Sequence, residues 1–171
     1  MRTKRLLLVS LIAMVGLGFG VLPQSVPSAA DEPVPPITIE VLAAHSTFAD
    51  EVSLKIKRRL TGENTEVVNV TDPNTVVVAR LTVQPGAQFP WHTHPGPVVV
   101  SVASGDLVYQ QESDCIERTY LSGQSFIDPG NSVHTAWNAG TEPTVLFATF
   151  YGVPDGGAVA IPEQDQTDRC G

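Results

Sequence analysis

The sequence contains few of the residues that usually carry site chemistry. Only two of its 171 residues are cysteines and four are histidines, while aromatic residues make up 6 % and charged residues 16 %. Neither cysteine has a CxxC partner, and no Ser-His-Asp arrangement, phosphate-binding glycine loop or cluster of carboxylates is apparent. We find no internal repeat and no low-complexity tract. The functional argument therefore depends mainly on the histidines.

Basic residues are also few, and this excludes a class of partners. Lysine and arginine number 10 against 18 acidic residues, so the net charge is −8. Residues 1–30 carry three basic residues and no acidic one, so the chain without them has a net charge of −11. Such a domain repels phosphates, and we expect neither nucleic acid nor anionic lipid as a partner. The one basic cluster, KIKRRL at residues 55–60, predicts the solvent-facing side of a strand.

Residues 1–30 predict an export signal. MRTKR is basic, LLLVSLIAMVGLGFGVL is apolar, and PQSVPSAA ends in small residues that suit cleavage after Ala30. The alternative is an uncleaved anchor, since the stretch from Leu6 to Leu22 approaches the length of a membrane span. Glycines weaken that helix. We therefore expect cleavage and a secreted or otherwise extracytoplasmic protein that has left the membrane.

Cys115 and Cys170 predict one disulfide, because an isolated pair in an oxidising compartment most simply forms a single bond. The bond closes a loop of about 56 residues and stabilises the fold by about 4 kcal/mol on the chain-entropy estimate. It also ties the C-terminal tail to the domain. The alternative, a thiol that acts as a ligand or nucleophile, has no CxxC motif to support it.

Glycine and proline, 14 of each, are spread along the chain as turn signals between short apolar runs. The sequence predicts one all-β domain over residues 47–155, with an extended proline-rich lead-in at 31–46 and an irregular tail at 156–171. The stretch ITIEVLAAHSTFADEV begins like a strand and allows a short helical turn near Ala43. Nine strands are predicted: EVSLKIKRRL, TEVVNV, TVVVARLTV, PVVVSVA, DLVYQQ, CIERTYL, QSFIDP, SVHTAWNA and TVLFATFYGV.

The stretch PWHTHPGPVVV at residues 90–100 carries two histidines one residue apart. On a strand, residues i and i+2 project to the same face, so His92 and His94 point together and can share one ion. SVHTAWNAG supplies a third imidazole, His134, from another strand. Three imidazoles suit a transition metal and leave positions open for water or substrate. The alternative is that these histidines are structural, since an HxH pair alone is a weak signal.

Two longer motifs surround these histidines. In the first, Gly86 is followed by five residues and then HxH, and Gly105 closes the segment. The second, GQSFIDPGNSVHTAWN, has its defining residues at Gly123, Pro129, His134 and Asn138. Asn131 replaces a glycine of that motif, and asparagine also tolerates left-handed backbone angles. Together the two closely resemble the paired motifs of the cupin family, over about residues 47–153.

The resemblance implies a double-stranded β-helix, the jelly-roll barrel of cupins, with a mononuclear metal centre inside. Its ligands are expected to be His92, His94 and His134, and the ion a divalent transition metal such as zinc, iron, manganese, nickel or copper. The family's glutamate ligand belongs at position 98, where this chain has Val98. Three neutral imidazoles leave the ion its full charge, which predicts a stronger Lewis acid and weaker binding. A barrel that no longer binds metal is the alternative.

Several side chains are expected to surround the site. Phe89, Trp91 and Tyr109 predict apolar walls, although most barrel aromatics belong simply to the core. Gln110 or Gln111 can supply a polar group where the family carboxylate is missing, and alternation allows only one of the two to face inward.

Other residues have structural interpretations. Phe147 and Phe150 lie on opposite faces of one predicted strand, so at most one of them faces inward. Asn138 is expected to buttress a turn. His45 lies outside both motifs and is expected to be a surface or structural residue.

Two functions fit these features. The first is a secreted enzyme whose metal ion activates oxygen, water or a small organic substrate, since some cupins with three histidines are iron(II) dioxygenases. The second is a non-catalytic barrel that binds a metal or small ligand, with a vestigial site. No catalytic residue beyond the metal ligands is identified. Barrels of the resembled family often pair edge to edge, so the resemblance also allows a homodimer.

Overall fold

The computed structural model describes residues 35–171, and the predicted export signal at residues 1–30 lies outside them. The described residues form twelve strands and one helical turn: β1 (Ile37–Thr47), β2 (Leu54–Arg58), β3 (Glu66–Val70), β4 (Thr75–Val83), β5 (His92–Thr93), β6 (Val98–Ser104), β7 (Leu107–Gln111), β8 (Glu117–Tyr120), β9 (Ser125–Asp128), β10 (His134–Trp137), β11 (Thr144–Val153), β12 (Ile161–Pro162) and α1 (Thr167–Cys170).

The strands form two five-stranded antiparallel sheets and a separate hairpin. The first sheet has the order β1-β4-β11-β6-β9, the second has the order β12-β5-β10-β7-β8, and β2 pairs with β3. Strands that are distant in sequence lie side by side in both sheets, as in a double-stranded β-helix. The predicted all-β jelly-roll fold is therefore confirmed.

The core lies between the two sheets and follows from alternation along the strands. On β4 the odd-numbered residues from Val77 to Val83 are buried. On β11 Phe150 is buried with 6 % of its surface exposed, whereas Phe147 is 42 % exposed. This confirms that only one of the two phenylalanines faces inward. Because successive strand residues point to opposite faces, the buried set forms one continuous apolar layer.

All nine predicted strand segments contain a strand. The segment assigned to the lead-in differs from expectation, because residues 37–46 form most of β1. This strand pairs with β4 from Ile37 opposite Val83 to Thr47 opposite Thr75, with two register shifts. No helical turn forms near Ala43, since the backbone there pairs with β4 instead.

The tail at 156–171 contains β12 and α1, and the Cys115–Cys170 disulfide holds its end. The predicted pairing of the cysteines is confirmed. Within residues 35–171, no helix combines the length and hydropathy that a membrane-spanning segment requires.

The basic cluster KIKRRL divides between surface and interior. Lys55 and Lys57 are exposed on β2, as predicted. Arg58 instead turns inward: its side chain is 10 % exposed, pairs with Glu66 at 2.7 Å and donates to the carbonyl of Ile127 at 2.9 Å. A buried guanidinium needs such partners, because its desolvation is otherwise costly.

Candidate metal centre

Pairing of two short strands brings the three histidines together. His92 on β5 lies directly opposite His134 on β10, and His94 follows the end of β5. The ring centroids are 4.2 Å apart for His92 and His134, 4.8 Å for His92 and His94, and 5.0 Å for His94 and His134. One potential ligand atom from each ring lies within 4.8 Å of the other two. The rings predicted to share an ion thus face one another.

A close approach of two loops fixes the position of His94 relative to His134. The amide of Asn131 donates to the carbonyl of His94 at 2.8 Å. Asn131 has φ of 51° and Gly130 has φ of 74°, both in the left-handed region. The expected tolerance of asparagine at position 131 is therefore borne out by the backbone. A Cβ on Gly130 would overlap the backbone of Gly96.

Gly130→Ala should lower the free energy of unfolding by about 2–5 kcal/mol, because a left-handed alanine and a collision with backbone are both costly. Gly123→Ala is the matched control, since Gly123 has φ of 83° but its Cβ would meet nothing within 4 Å. It should lose about 1–2 kcal/mol from backbone strain alone. Urea unfolding of both variants measures the difference, and equal losses would show that the loop contact does not matter.

Each of the three rings is fixed by a hydrogen bond from its Nδ1 to a main-chain carbonyl. The Nδ1–H of His92 donates to Pro90 O at 2.8 Å, that of His94 to Val159 O at 2.6 Å, and that of His134 to Ser132 O at 2.9 Å. Because Nδ1 carries the proton in each case, Nε2 keeps a free lone pair. An outer hydrogen bond of this kind is the usual support of a metal-binding imidazole. The donor set therefore fits a divalent transition metal.

Burial keeps the three imidazoles neutral. His94 and His134 are 7 % and 4 % exposed, and His92 is the most exposed of the three. Desolvation is the largest cause that lowers each pKa below the ordinary value of 6.5, and the positive charge of a neighbouring histidine lowers it further. Neutral rings are the form that binds metal.

The metal-free protein should lose stability as the pH falls below 6.5. The three pKa values are lower in the folded state, so between the folded and unfolded values the unfolded chain binds more protons. The stabilisation is therefore present above pH 6.5 and decreases towards acid. Urea unfolding between pH 5 and 8 tests this, with His92→Ala/His134→Ala as the comparison. Identical pH profiles for both proteins would contradict it.

The histidines open into a cavity of about 200 Å³ whose wall is mainly apolar. Val98, only 1 % exposed, lines it at the position of the family glutamate, as the sequence predicted. The other apolar side chains come from both sheets and include Leu81, Phe89, Val100, Leu107, Phe126, Leu146 and Phe150. The cavity can therefore hold a small molecule with little polar surface.

The C-terminal tail forms one side of this cavity. Val159, Ala160 and Pro162 line it, and β12 pairs with β5 beside His92. The amide of Glu163 donates to the carbonyl of Trp91 at 2.9 Å. The sequence predicted only an irregular tail here, because its glycines and polar residues show no periodic pattern. Its position depends on contacts with distant residues.

Asp128 is the functional side chain that sequence reasoning missed. It lies at the end of β9, is 1 % exposed and lines the cavity. Its Oδ2 accepts a hydrogen bond from the Tyr109 hydroxyl at 2.6 Å and lies 3.3 Å from His134 Nδ1. Burial and this carboxylate raise the pKa of Tyr109 well above its usual value, so the phenol stays protonated. Alternation with the inward Phe126 was the available signal.

The other predicted neighbours divide between the cavity and the scaffold. Phe89 and Tyr109 line the cavity, but Trp91 does not. Neither Gln110 nor Gln111 lines it, although both are buried: Gln110 donates to Cys115 O at 3.1 Å, and Gln111 accepts from Arg58 at 3.4 Å. The polar group beside the histidines is Asp128 instead.

Two residues have the structural roles expected of them. Asn138 donates to Val83 O and Glu142 O and accepts from the amide of Gly140, so it buttresses a turn. His45 hydrogen-bonds Thr75 at 3.0 Å, outside the candidate metal centre.

Comparison with known proteins finds similarity to a protein family and to individual proteins. Residues 79–150 match the family model described as the cupin domain. The chain is 31 % identical over 112 residues to the rhicadhesin receptor of Pisum sativum. The aligned segment covers 63 % of this chain and 48 % of the receptor. The chain thus spans about half the length of this curated relative.

Solved structures with similar folds include a cupin-like protein of Thermotoga maritima and KdgF from Halomonas sp. The first is 26 % identical over 56 % of this chain and 69 % of its own, with a TM-score of 0.48. The second is 15 % identical over 74 % of this chain and 87 % of its own, with a TM-score of 0.46. The match to the cupin domain model runs from β4 to β11 and includes all three histidines, and it supports a cupin domain in this part of the chain.

Proposed function

We propose that this domain binds one divalent transition metal through His92, His94 and His134 and accepts a small, mainly apolar molecule in the adjoining cavity. The observation that carries the proposal is the common orientation of the rings: each gives its Nδ1–H to a main-chain carbonyl and keeps Nε2 free. Three such nitrogens in one place are a typical donor set for zinc, iron, manganese, nickel or copper.

The ion would act as a Lewis acid on a bound oxygen atom or water. Three protein ligands leave coordination positions for water or for a ligand. The residues of the cavity would determine which molecules can approach the ion. The apolar wall around Val98 disfavours water, and Asp128 and Tyr109 offer one polar contact. These features support a metal-dependent enzyme that acts on a small organic molecule, including an oxygenase-type reaction.

A non-catalytic binding barrel is the second candidate. The observation that favours it is the composition of the cavity wall, where Asp128 is the only carboxylate among the described lining residues. A wall with so few polar groups binds a ligand well but offers little acid–base chemistry. Oxygen consumption by the iron-loaded protein, screened against small thiols and diketones, separates the two candidates.

The extracytoplasmic location belongs to the same proposal. Two features support it: the basic, apolar and small-residue order of residues 1–30, and the Cys115–Cys170 disulfide, a bond that persists in oxidising compartments. In that setting the protein would acquire its metal after export. Fractionation of cells that express the full chain, with N-terminal sequencing of the product, tests location and cleavage together.

Calorimetric titration tests the metal site itself. Metal-free protein is titrated separately with Mn²⁺, Fe²⁺, Ni²⁺, Cu²⁺ and Zn²⁺ at pH 7.5, with Fe²⁺ under anaerobic conditions. We expect one equivalent to bind for at least one ion, and affinity should fall towards acid as protons compete for the imidazoles. A folded protein that binds none of the five would overturn the proposal and favour a vestigial site.

A further inference from the structure

Because position 98 carries valine and not glutamate, no carboxylate at that position would balance the charge of a bound divalent ion. Val98, which occupies its position, is 1 % exposed and contributes only apolar surface. A divalent ion on three neutral imidazoles would keep its whole charge in surroundings that solvate charge poorly. Without a compensating anion, such a site is expected to hold metal weakly.

Asp128 stands immediately beside the vacated position. In the pairing of β6 with β9, Asp128 lies directly opposite Val98. Residues opposite each other in an antiparallel pair have their side chains on the same face. Both therefore line the cavity, and the neighbouring strand presents a carboxylate next to the valine.

Fixed hydrogen bonds hold this carboxylate behind one of the three rings. Oδ1 accepts from the amide of Gly130 at 2.7 Å, and Oδ2 accepts from the Tyr109 hydroxyl at 2.6 Å. Oδ2 also lies 3.3 Å from Nδ1 of His134, on the nitrogen that would not face an ion. Asp128 is therefore placed to act through His134 rather than as a fourth ligand.

The nearby cation does not cancel this charge. Arg58 donates to the carbonyl of Ile127, the residue before Asp128, but it is ion-paired with Glu66 at 2.7 Å. Tyr109 and Gly130 contribute neutral donors only. The cation nearest to Asp128 therefore already has a carboxylate partner of its own.

We propose that Asp128 supplies, from outside the ligand set, the negative charge that the family glutamate would supply directly, and so stabilises a cation held by His134 and its two partners. Asp128 is a positioning residue in this role. Ser132 O accepts the Nδ1–H of His134, so Asp128 would act by the attraction of its charge, 3.3 Å from that nitrogen, and not as the hydrogen-bond acceptor. The inference rests on the proposed metal site.

The test measures the affinity for Zn²⁺, with a chromophoric chelator as competitor, after a carboxylate is removed at position 128 and then added at position 98. Asp128→Asn keeps the shape of the side chain and an oxygen that can accept from the Gly130 amide, while removing its charge. The Tyr109 hydroxyl can then accept from the new amide instead of donating to a carboxylate. This variant should weaken Zn²⁺ binding by about 10–100-fold. Adding Val98→Glu to that variant should restore most of the lost affinity. Asp106→Asn, which removes a charge from an exposed carboxylate, is the matched control and should not change affinity.

Each outcome decides the inference. Unchanged affinity in Asp128→Asn overturns it and leaves the metal site intact, whereas a wild type that binds no Zn²⁺ or other divalent ion overturns the metal site as well. Weakened binding that a carboxylate at position 98 does not restore would show a structural role, and would also overturn the inference. Circular dichroism and thermal unfolding confirm that each variant is folded. Should the double variant unfold, the shorter Val98→Asp takes its place.

Discussion

Replacing His92 and His134 together with alanine should lower the affinity for divalent transition metals by more than about a hundredfold. Loss of a group that only supports a ligand already costs about 10–100-fold, and this variant removes two ligands outright. The two rings lie opposite each other across β5 and β10, with centroids 4.2 Å apart, so they belong to one site. Competition with a chelator measures the change.

His45→Asn is the matched control for that variant. His45 hydrogen-bonds Thr75 away from the candidate metal centre and has φ of 47°, a conformation that asparagine tolerates better than alanine. Its affinity for metal should equal that of the wild type. If the alanine variant kept the affinity of the wild type while remaining folded, the ion would have to bind elsewhere.

Replacing Cys115 and Cys170 with serine should lower the free energy of unfolding by about 4 kcal/mol and the melting temperature by about 10 °C. The crosslink spans 55 residues of sequence separation and holds the end of the C-terminal tail. That tail supplies the carbonyl of Val159, which accepts the Nδ1–H of His94 at 2.6 Å. Metal affinity should therefore fall together with stability.

The wild type under reducing conditions is the control for this variant. Reduction should lower its melting temperature to that of the serine variant, while the variant itself should not respond to the reductant. Differential scanning calorimetry and the chelator competition give the two readings. A large loss of stability with unchanged metal affinity would show that the tail stays on the cavity without its crosslink.

Strand alternation explains why most of the fold was predictable. TVVVARLTV and TVLFATFYGV have the bounds of β4 and of β11, because each strand buries every second residue. β1 was ambiguous for the opposite reason: most of its residues are exposed, so its sequence has little alternation. β5 and β12 have two residues each, too few to show any period.

The site was predictable where sequence spacing controls geometry. An HxH pair that was predicted to lie on one strand, together with a motif histidine from another, identified His92, His94 and His134, although β5 ends at Thr93, one residue before His94. Asp128 and the tail residue Val159 were not identified, because pairing between distant segments brings them to the site. Asp128 reaches it opposite Val98, and Val159 reaches it through β12 and the disulfide. Alternation with Phe126 indicates which face Asp128 takes, but no local pattern shows that this face lies opposite Val98 or that Val159 reaches the site.

X-ray absorption at the zinc edge of metal-saturated, desalted wild-type protein tests the central claim most directly. Convergence of His92, His94 and His134 on one ion predicts a single zinc per chain with three imidazole nitrogens at about 2.0–2.1 Å and a non-protein ligand such as water completing the shell. A protein that emerges without zinc, or a zinc shell with fewer than three imidazoles, would contradict the account.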